Sequence, residues 1–196
     1  MGVLDTIVFS AVNGFAGRAA MLDGVMVFLA QAAPYIFAAI FAVAFWRAPR
    51  PAERLRRSIV YAVLAGLLAL LVNAVVSAIY FRPRPFVTLA GHVHLLVAHA
   101  ADASFPSDHT AGSFAFAAAM AFAGGAWSIA FYILAAMVAI ARVFVGVHWP
   151  TDVIAGALVG ILSGRVILRT RRVYERPIRF ILRIGGRFLG RRERVH

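Results

Sequence analysis

A chain of 196 residues that is 62% hydrophobic and only 14% charged, with a mean hydropathy of +0.84, carries more apolar surface than a core of its size can hide from water. A lipid solvent is the economical explanation, and one membrane domain is expected rather than a soluble globular one. The net charge of +12 rests on twenty basic residues, all arginine, lying between and after apolar stretches, which points to cytoplasmic loops and an anionic lipid surface and away from nucleic acid. The absence of cysteine excludes disulfides and thiolate metal sites.

Val3, Leu4, Ile7, Val8, Ala11, Val12 and Phe15 recur at helical spacing in a stretch too short and too polar to span a bilayer. It reads as an interfacial amphipathic helix ended by Gly14 and Gly17. Asp5 and Asn13 inside the apolar run, with no basic start, argue against a cleavable signal. A first span is expected over 24–46, where Gln31 and Pro34 should face other helices rather than lipid. Residues 47–57 form a proline-containing hairpin with five arginines, and a second span follows over 58–81, with Asn73 and Ser77 near its far end. A third span, 109–124, is short and rich in alanine and glycine. The fourth covers 126–145 and the fifth 150–168. In the fifth, Gly156, Gly160 and Gly164 form an overlapping GxxxG register that lets another helix approach closely. Residues 169–196 carry ten arginines among apolar residues, the composition of a basic amphipathic tail on a membrane face.

The expected fold is therefore all-α. It is a multi-pass membrane helical bundle of about five transmembrane helices, with an N-terminal interfacial helix and a basic amphipathic C-terminal tail. Residues 1–168 form the membrane-embedded domain and 169–196 the tail. The hairpin and the tail hold fifteen of the twenty arginines and are separated by an even number of spans, so both should lie on the cytoplasmic side. Three polar islands then fall together on the opposite side.

Each island carries chemistry. In Arg142-x5-His148-x3-Asp152, Pro150 suits the first helical position of span five. His148 then projects from the preceding loop, and Asp152 sits in the first turn, able to reach back to an imidazole nitrogen. Arg142 offers a planar donor fork for phosphate. In Pro106-Ser107-Asp108-His109, Ser107 or Asp108 can cap span three, and a helix start presents free N–H groups to an anion. His109 lies where it could protonate a leaving oxygen. In Arg82-Pro83-Arg84-Pro85-Phe86, two prolines hold the backbone extended and two guanidiniums sit at the interface. Two histidines, an orienting carboxylate and several arginines describe phosphoryl transfer. No carboxylate cage suits magnesium, so a metal-free and cofactor-free route through a phosphohistidine fits. Residue chemistry alone leaves open which histidine attacks. His92, His94 and His99 have metal-like HxH spacing but no nearby cysteine and few acids, and they read as a polar loop face. Phe105 and Trp149 read as interface anchors or packing.

The set RPF, PSDH and R-x5-H-x3-D, in this order over residues 77–152, resembles the type 2 phosphatidic acid phosphatase superfamily, whose pattern is KxxxxxxRP, PSGH and SRxxxxxHxxxD. The resemblance implies a nucleophile at His148 oriented by Asp152, a general acid at His109, and phosphate binding by Arg84, Ser107 and Arg142. Three positions depart from the pattern. Ser77 stands at the motif lysine, a loss of charge for which Arg82 can substitute; Ala141 replaces a serine; Asp108 replaces the glycine of PSGH. Asp108 is similar to the branch acting on undecaprenyl pyrophosphate, where FPSDH and RPRPF are typical, and is the substrate-specificity candidate. The implied activity is hydrolysis of that isoprenoid diphosphate on the extracytoplasmic side of a bacterial cytoplasmic membrane, with no metal or cofactor. The implied partners are the isoprenoid diphosphate lipid and anionic lipids at the tail; a homo-oligomer is compatible with this reading. Phosphatidylglycerophosphate, phosphatidate and lipid A phosphate are alternative substrates, and transfer to a lipid acceptor is an alternative outcome. A non-enzymatic transporter or anion-binding bundle is the reading from another class; polar residues gathered at one face rather than along a midplane path count against it.

Overall fold

The computed structural model describes residues 2–49 and 52–189, with the backbone alone at Ile181 and at 183–189. Arg50 of the hairpin and residues 190–196 of the tail lie outside the described residues. The helices are α1 (Val3–Asn13), α2 (Ala20–Arg47), α3 (Glu53–Ile79), α4 (Pro85–Thr88), α5 (Asp108–Met120), α6 (Gly125–Phe144) and α7 (Pro150–Leu189), and no strand occurs among the described residues. Four of them, α2, α3, α6 and α7, are long and apolar enough to cross a membrane. The all-helical membrane bundle read from the sequence is therefore the architecture of the chain.

The expected third span is the exception in length. α5 has 13 residues, about 20 Å of helix at 1.5 Å per residue, and stops at Met120 before the turn that leads to Gly124. That is short of a hydrocarbon core of about 30 Å. It can be short because it is the axis of the bundle. α5 packs against α7, α3 and α6, and Ala111, Ala115, Ala117 and Ala119 are fully buried. Small side chains let the surrounding helices close on it. Gln31 and Pro34 also depart from expectation: both are exposed on α2, Pro34 at the edge of a cleft rather than in a helix contact.

The glycines of α7 meet α5. A Cβ on Gly156 would lie 2.6 Å from the Ser107 carbonyl oxygen, and one on Gly160 would lie 2.3 Å from that of Ala111 and 2.8 Å from the Ala115 nitrogen. These neighbours are backbone and cannot swing aside. Gly160→Val should destabilise the protein by about 3 kcal/mol through overpacking, read as a lower unfolding temperature in detergent. Gly24→Ala, which meets nothing within 4 Å, serves as the neutral comparison. An unchanged transition in Gly160→Val would refute this packing.

The arginine-rich segments converge at one end. Arg57 of α3 pairs with Glu175 of α7 at 2.6 Å, Tyr61 and Tyr174 meet edge-on, and Arg54, Arg57 and Arg171 all lie over the Phe122 ring. α7 runs without a break through residue 168, so the first residues of the tail continue the fifth span and pack on α3. The opposite ends of the same helices carry the polar islands.

Candidate active site

Local structure places each polar side chain. α6 ends at Phe144, and Gly146, at φ 88, turns the chain in a conformation that favours glycine. The loop delivers His148 and Trp149 to the bundle before Pro150 opens α7. Pro83 and Pro85 bracket Arg84, held extended at φ −69 and ψ 156, so its side chain turns inward and is buried. Backbone bonds brace the islands: Ser104 N–H donates to the Arg82 carbonyl at 2.8 Å and Ser107 N–H to the Asp152 carbonyl at 3.2 Å.

His148 is the centre. Its Nδ1 lies 2.9 Å from the Ser104 carbonyl oxygen, which can only accept, so Nδ1 carries the hydrogen. Its Nε2 faces the Arg84 and Arg142 guanidiniums, both at 3.4 Å, which can only donate. The neutral tautomer thus directs the Nε2 lone pair toward two cations, where an anion would sit. Burial pushes the imidazole down to about 4, and the neighbouring guanidiniums act in the same direction against the Asp152 carboxylate. At neutral pH His148 is an uncharged base.

Asp152 supports the histidine less directly than its spacing suggests. Its Oδ2 is 3.6 Å from His148 Nδ1, beyond a hydrogen bond, and accepts instead from the Ser104 hydroxyl and, at 2.8 Å, from Trp149 N–H. Ser104 therefore bridges the two, its carbonyl on the imidazole and its hydroxyl on the carboxylate. Motif spacing assigns Ser104 no role; its one signal in the sequence is an uncharged hydroxyl two residues before the PSDH motif.

Both buried arginines are fixed. Arg84 donates to Asp102 at 2.7 Å, to the Val147 carbonyl at 2.8 Å and to that of Ala103 at 3.3 Å. Arg142 Nη1 holds the Ala30 carbonyl at 3.0 Å, and its buried Nε has no partner among the described residues. Ser107 is fully buried at the cap of α5 and its hydroxyl accepts from Thr110 at 3.1 Å. Asp108 accepts from the buried Asn73 amide at 2.8 Å. Ser77, at the motif-lysine position, donates to the Asn73 carbonyl and supplies no charge. Arg82 stands apart from the phosphate-binding expectation: it is engaged by the carboxylates of Asp5 and Asp152 and by Thr151, and stacks over Trp149 at 5.4 Å.

His109, one residue into α5, and Asp108 stand at the polar end of an otherwise apolar cleft of about 580 Å³ between α2, α3 and α5, lined by Phe37, Phe41, Leu67, Leu70 and Phe116 among others. The three loop histidines do not converge. His92 bonds the Ala90 carbonyl, and the His94 backbone bonds Asn13. His99 lies with its ring 6.5 Å from that of His148, and burial lowers its affinity for a proton. No group of three or more metal-ligating side chains occurs among the described residues. Trp149 is fully buried, its indole N–H on the Pro83 carbonyl, so it packs rather than anchors.

A family model described as the PAP2 superfamily matches residues 58–175. The undecaprenyl-diphosphatase BcrC of Bacillus subtilis is 34% identical over 177 residues, covering 90% of this chain and 89% of the relative. The bacitracin transport permease protein BcrC of Bacillus licheniformis is 34% identical over 162 residues, covering 83% and 78%. Among solved structures, LpxE of Aquifex aeolicus superposes with a TM-score of 0.73 at 25% identity, covering 86% of this chain and 96% of that one.

Proposed function

This chain belongs to the PAP2 superfamily, and from that membership and the site geometry we propose that it hydrolyses undecaprenyl diphosphate to undecaprenyl phosphate and inorganic phosphate at the extracytoplasmic face of a bacterial cytoplasmic membrane. The observation that carries the reading is the neutral His148, its Nδ1 bound to a carbonyl and its Nε2 aimed between two guanidiniums.

Nε2 attacks the terminal phosphorus. The bond from that phosphorus to the bridging oxygen breaks, and His109, which takes up a proton once the anionic diphosphate lies beside it, passes that proton to the departing undecaprenyl phosphate. Water, deprotonated by His109, then attacks the phosphohistidine, releasing phosphate and restoring neutral His148. Arg84, Arg142 and the start of α5 at Ser107 hold the equatorial oxygens as their charge spreads. The apolar cleft beginning at His109 and Asp108 would take the first isoprene units, leaving the rest of the tail in the bilayer. Asp108, fixed by Asn73, stands where the headgroup meets the tail and is the candidate for choosing the lipid.

Orientation follows from charge. The arginines of the hairpin and the early tail meet at the end away from the site, and the positive-inside rule makes that end cytoplasmic. Residues 1–168 act as the lipid-phosphatase domain, and the tail beyond them lies against anionic lipid.

Purified protein in EDTA should release phosphate from undecaprenyl diphosphate with a higher kcat/KM than from phosphatidylglycerophosphate, phosphatidate or lipid A 1-phosphate. A preference for one of the others would reassign the substrate. Solute flux in proteoliposomes without phosphate release would replace hydrolysis by transport.

A further inference from the structure

The N-terminal helix carries a carboxylate that the phosphatase reading leaves without a task. α1 exposes Val3, Leu4, Ile7 and Val8, as an interfacial helix should, yet Asp5 on the same helix is 6% exposed. Burying a carboxylate is unfavourable unless it is paired and hydrogen-bonded. Asp5 is both. Its Oδ1 accepts from Thr151 N–H at 3.0 Å, its Oδ2 from the Thr151 hydroxyl at 2.8 Å, and the Arg82 guanidinium pairs with Oδ2. Burial alone would push the Asp5 carboxyl up, but the bonds from Arg82 and Thr151 outweigh it and hold the group below the usual carboxylate range. Asp5 is an anion joined to the first turn of α7, one residue from Asp152.

The same guanidinium continues to the catalytic centre. Arg82 Nη1 donates to Asp152 Oδ1 at 2.6 Å, while the other oxygen of Asp152 takes the Ser104 hydroxyl whose backbone carbonyl holds His148. Asp5, Arg82 and Asp152 form one row with a net charge of −1. With Asp5 ionised, Arg82 is shared between two carboxylates and Asp152 keeps negative charge to offer the imidazole. Without it, Arg82 and Asp152 close into a neutral pair, and the positive charge that grows on His148 as Nε2 bonds to phosphorus meets less opposing field.

We infer that Asp5 of the N-terminal helix is a positioning residue for the reaction, holding Arg82 so that Asp152 remains both oriented and electrostatically available to His148. The role rests on the hydrolase reading above. It assigns Arg82 to the carboxylate row, not to the substrate phosphate, and gives α1 a part in catalysis besides membrane attachment.

The test compares Asp5→Asn, Asp5→Glu and Asn13→Ala with the unaltered chain in detergent. Asn13 ties α1 to the His94 and Phe144 carbonyls and does not touch Arg82, so its loss loosens α1 mechanically. Asp5→Asn should lower kcat on undecaprenyl diphosphate by about 10–100-fold, the size typical of a residue that orients a catalytic ligand, with KM within about twofold. Asp5→Glu should recover part of kcat by restoring the charge. Asn13→Ala should lower the unfolding temperature with a smaller change in kcat. Signals of His148 in ¹⁵N-histidine spectra, identified by their loss in His148→Gln, should shift in Asp5→Asn and stay in Asn13→Ala. If kcat and the His148 signals are unchanged in Asp5→Asn, or if Asn13→Ala reproduces the effects of Asp5→Asn on both, Asp5 is structural only and the inference fails. An unaltered chain inactive on every lipid would instead overturn the hydrolase reading. The spectra then judge the Asp5 row on their own.

Discussion

His148→Ala should abolish phosphate release, lowering kcat by about 10⁴-fold or more, because it removes the nucleophile itself. Among the described residues, the His148 imidazole is the side chain whose acceptor nitrogen faces both Arg84 and Arg142. The reaction should also leave a trace. Undecaprenyl diphosphate labelled on its terminal phosphate should transfer label to the protein in an acid-labile, alkali-stable form, as expected of a phosphohistidine. His109→Ala should slow turnover by about 10²–10³-fold, the contribution of a general acid–base group, and raise the trapped fraction if hydrolysis is slowed more than attack. His148→Ala should trap none. Label retained in His148→Ala would remove His148 from the nucleophile's role. The depressed affinity of His148 for a proton adds a stability readout. Well above a pH of about 6.5 neither the folded nor the unfolded imidazole is charged. As pH falls from there toward 4, the unfolded chain takes up a proton that the folded chain refuses, so stability falls across that window. His148→Asn should flatten that part of the decline.

The bundle was legible because lipid imposes a coarse rule: spans must be long and apolar, and arginines gather on one side. The glycine register of α7 was legible for a similar reason, since a Cβ at Gly160 has nowhere to go. α5 read too long because its limit is set by neighbours. An alanine-rich run looks the same whether it faces lipid or three helices, and Met120 and Phe122 do not mark the difference. At the site, His148, Arg84 and Arg142 are brought together as their motifs suggest, because each motif sits beside a helix end that fixes its direction. What motif spacing conceals is the pairing of charges. His148 and Asp152 are four residues apart, a separation that suggests a direct bond, yet Ser104 from another loop stands between them. Arg82 looks like one more phosphate fork because its carboxylates come from 77 and 70 residues away. Asp5 was visible only as an oddity, an acid in an apolar helix, and such an acid says that a cation exists somewhere without saying which.

Arg142→Ala should be the costliest of the arginine replacements, lowering kcat/KM by about 10²–10³-fold, the loss found when one donor to a developing oxyanion is removed. Three features set it apart from Arg84, which spends Nε on Asp102 and both terminal nitrogens on carbonyls. Arg142 gives only Nη1 to the backbone, at Ala30, and keeps Nη2 beside His148 and Nε without a protein partner among the described residues. Two parallel donors on one edge of a guanidinium match two oxygens of a phosphate. Arg142→Lys should therefore fail to rescue, because one ammonium on a flexible stem cannot hold the Ala30 carbonyl and also reach two oxygens. Since trigonal-bipyramidal vanadate imitates the phosphoryl group in transfer, inhibition by orthovanadate should weaken in Arg142→Ala in proportion to the fall in kcat/KM, while KM rises less. That proportionality is the mark of a group that binds the transition state better than the ground state. A large rise in KM with kcat preserved would make Arg142 a simple anchor for the diphosphate, and the transition-state role would then fall to Arg84 and the start of α5.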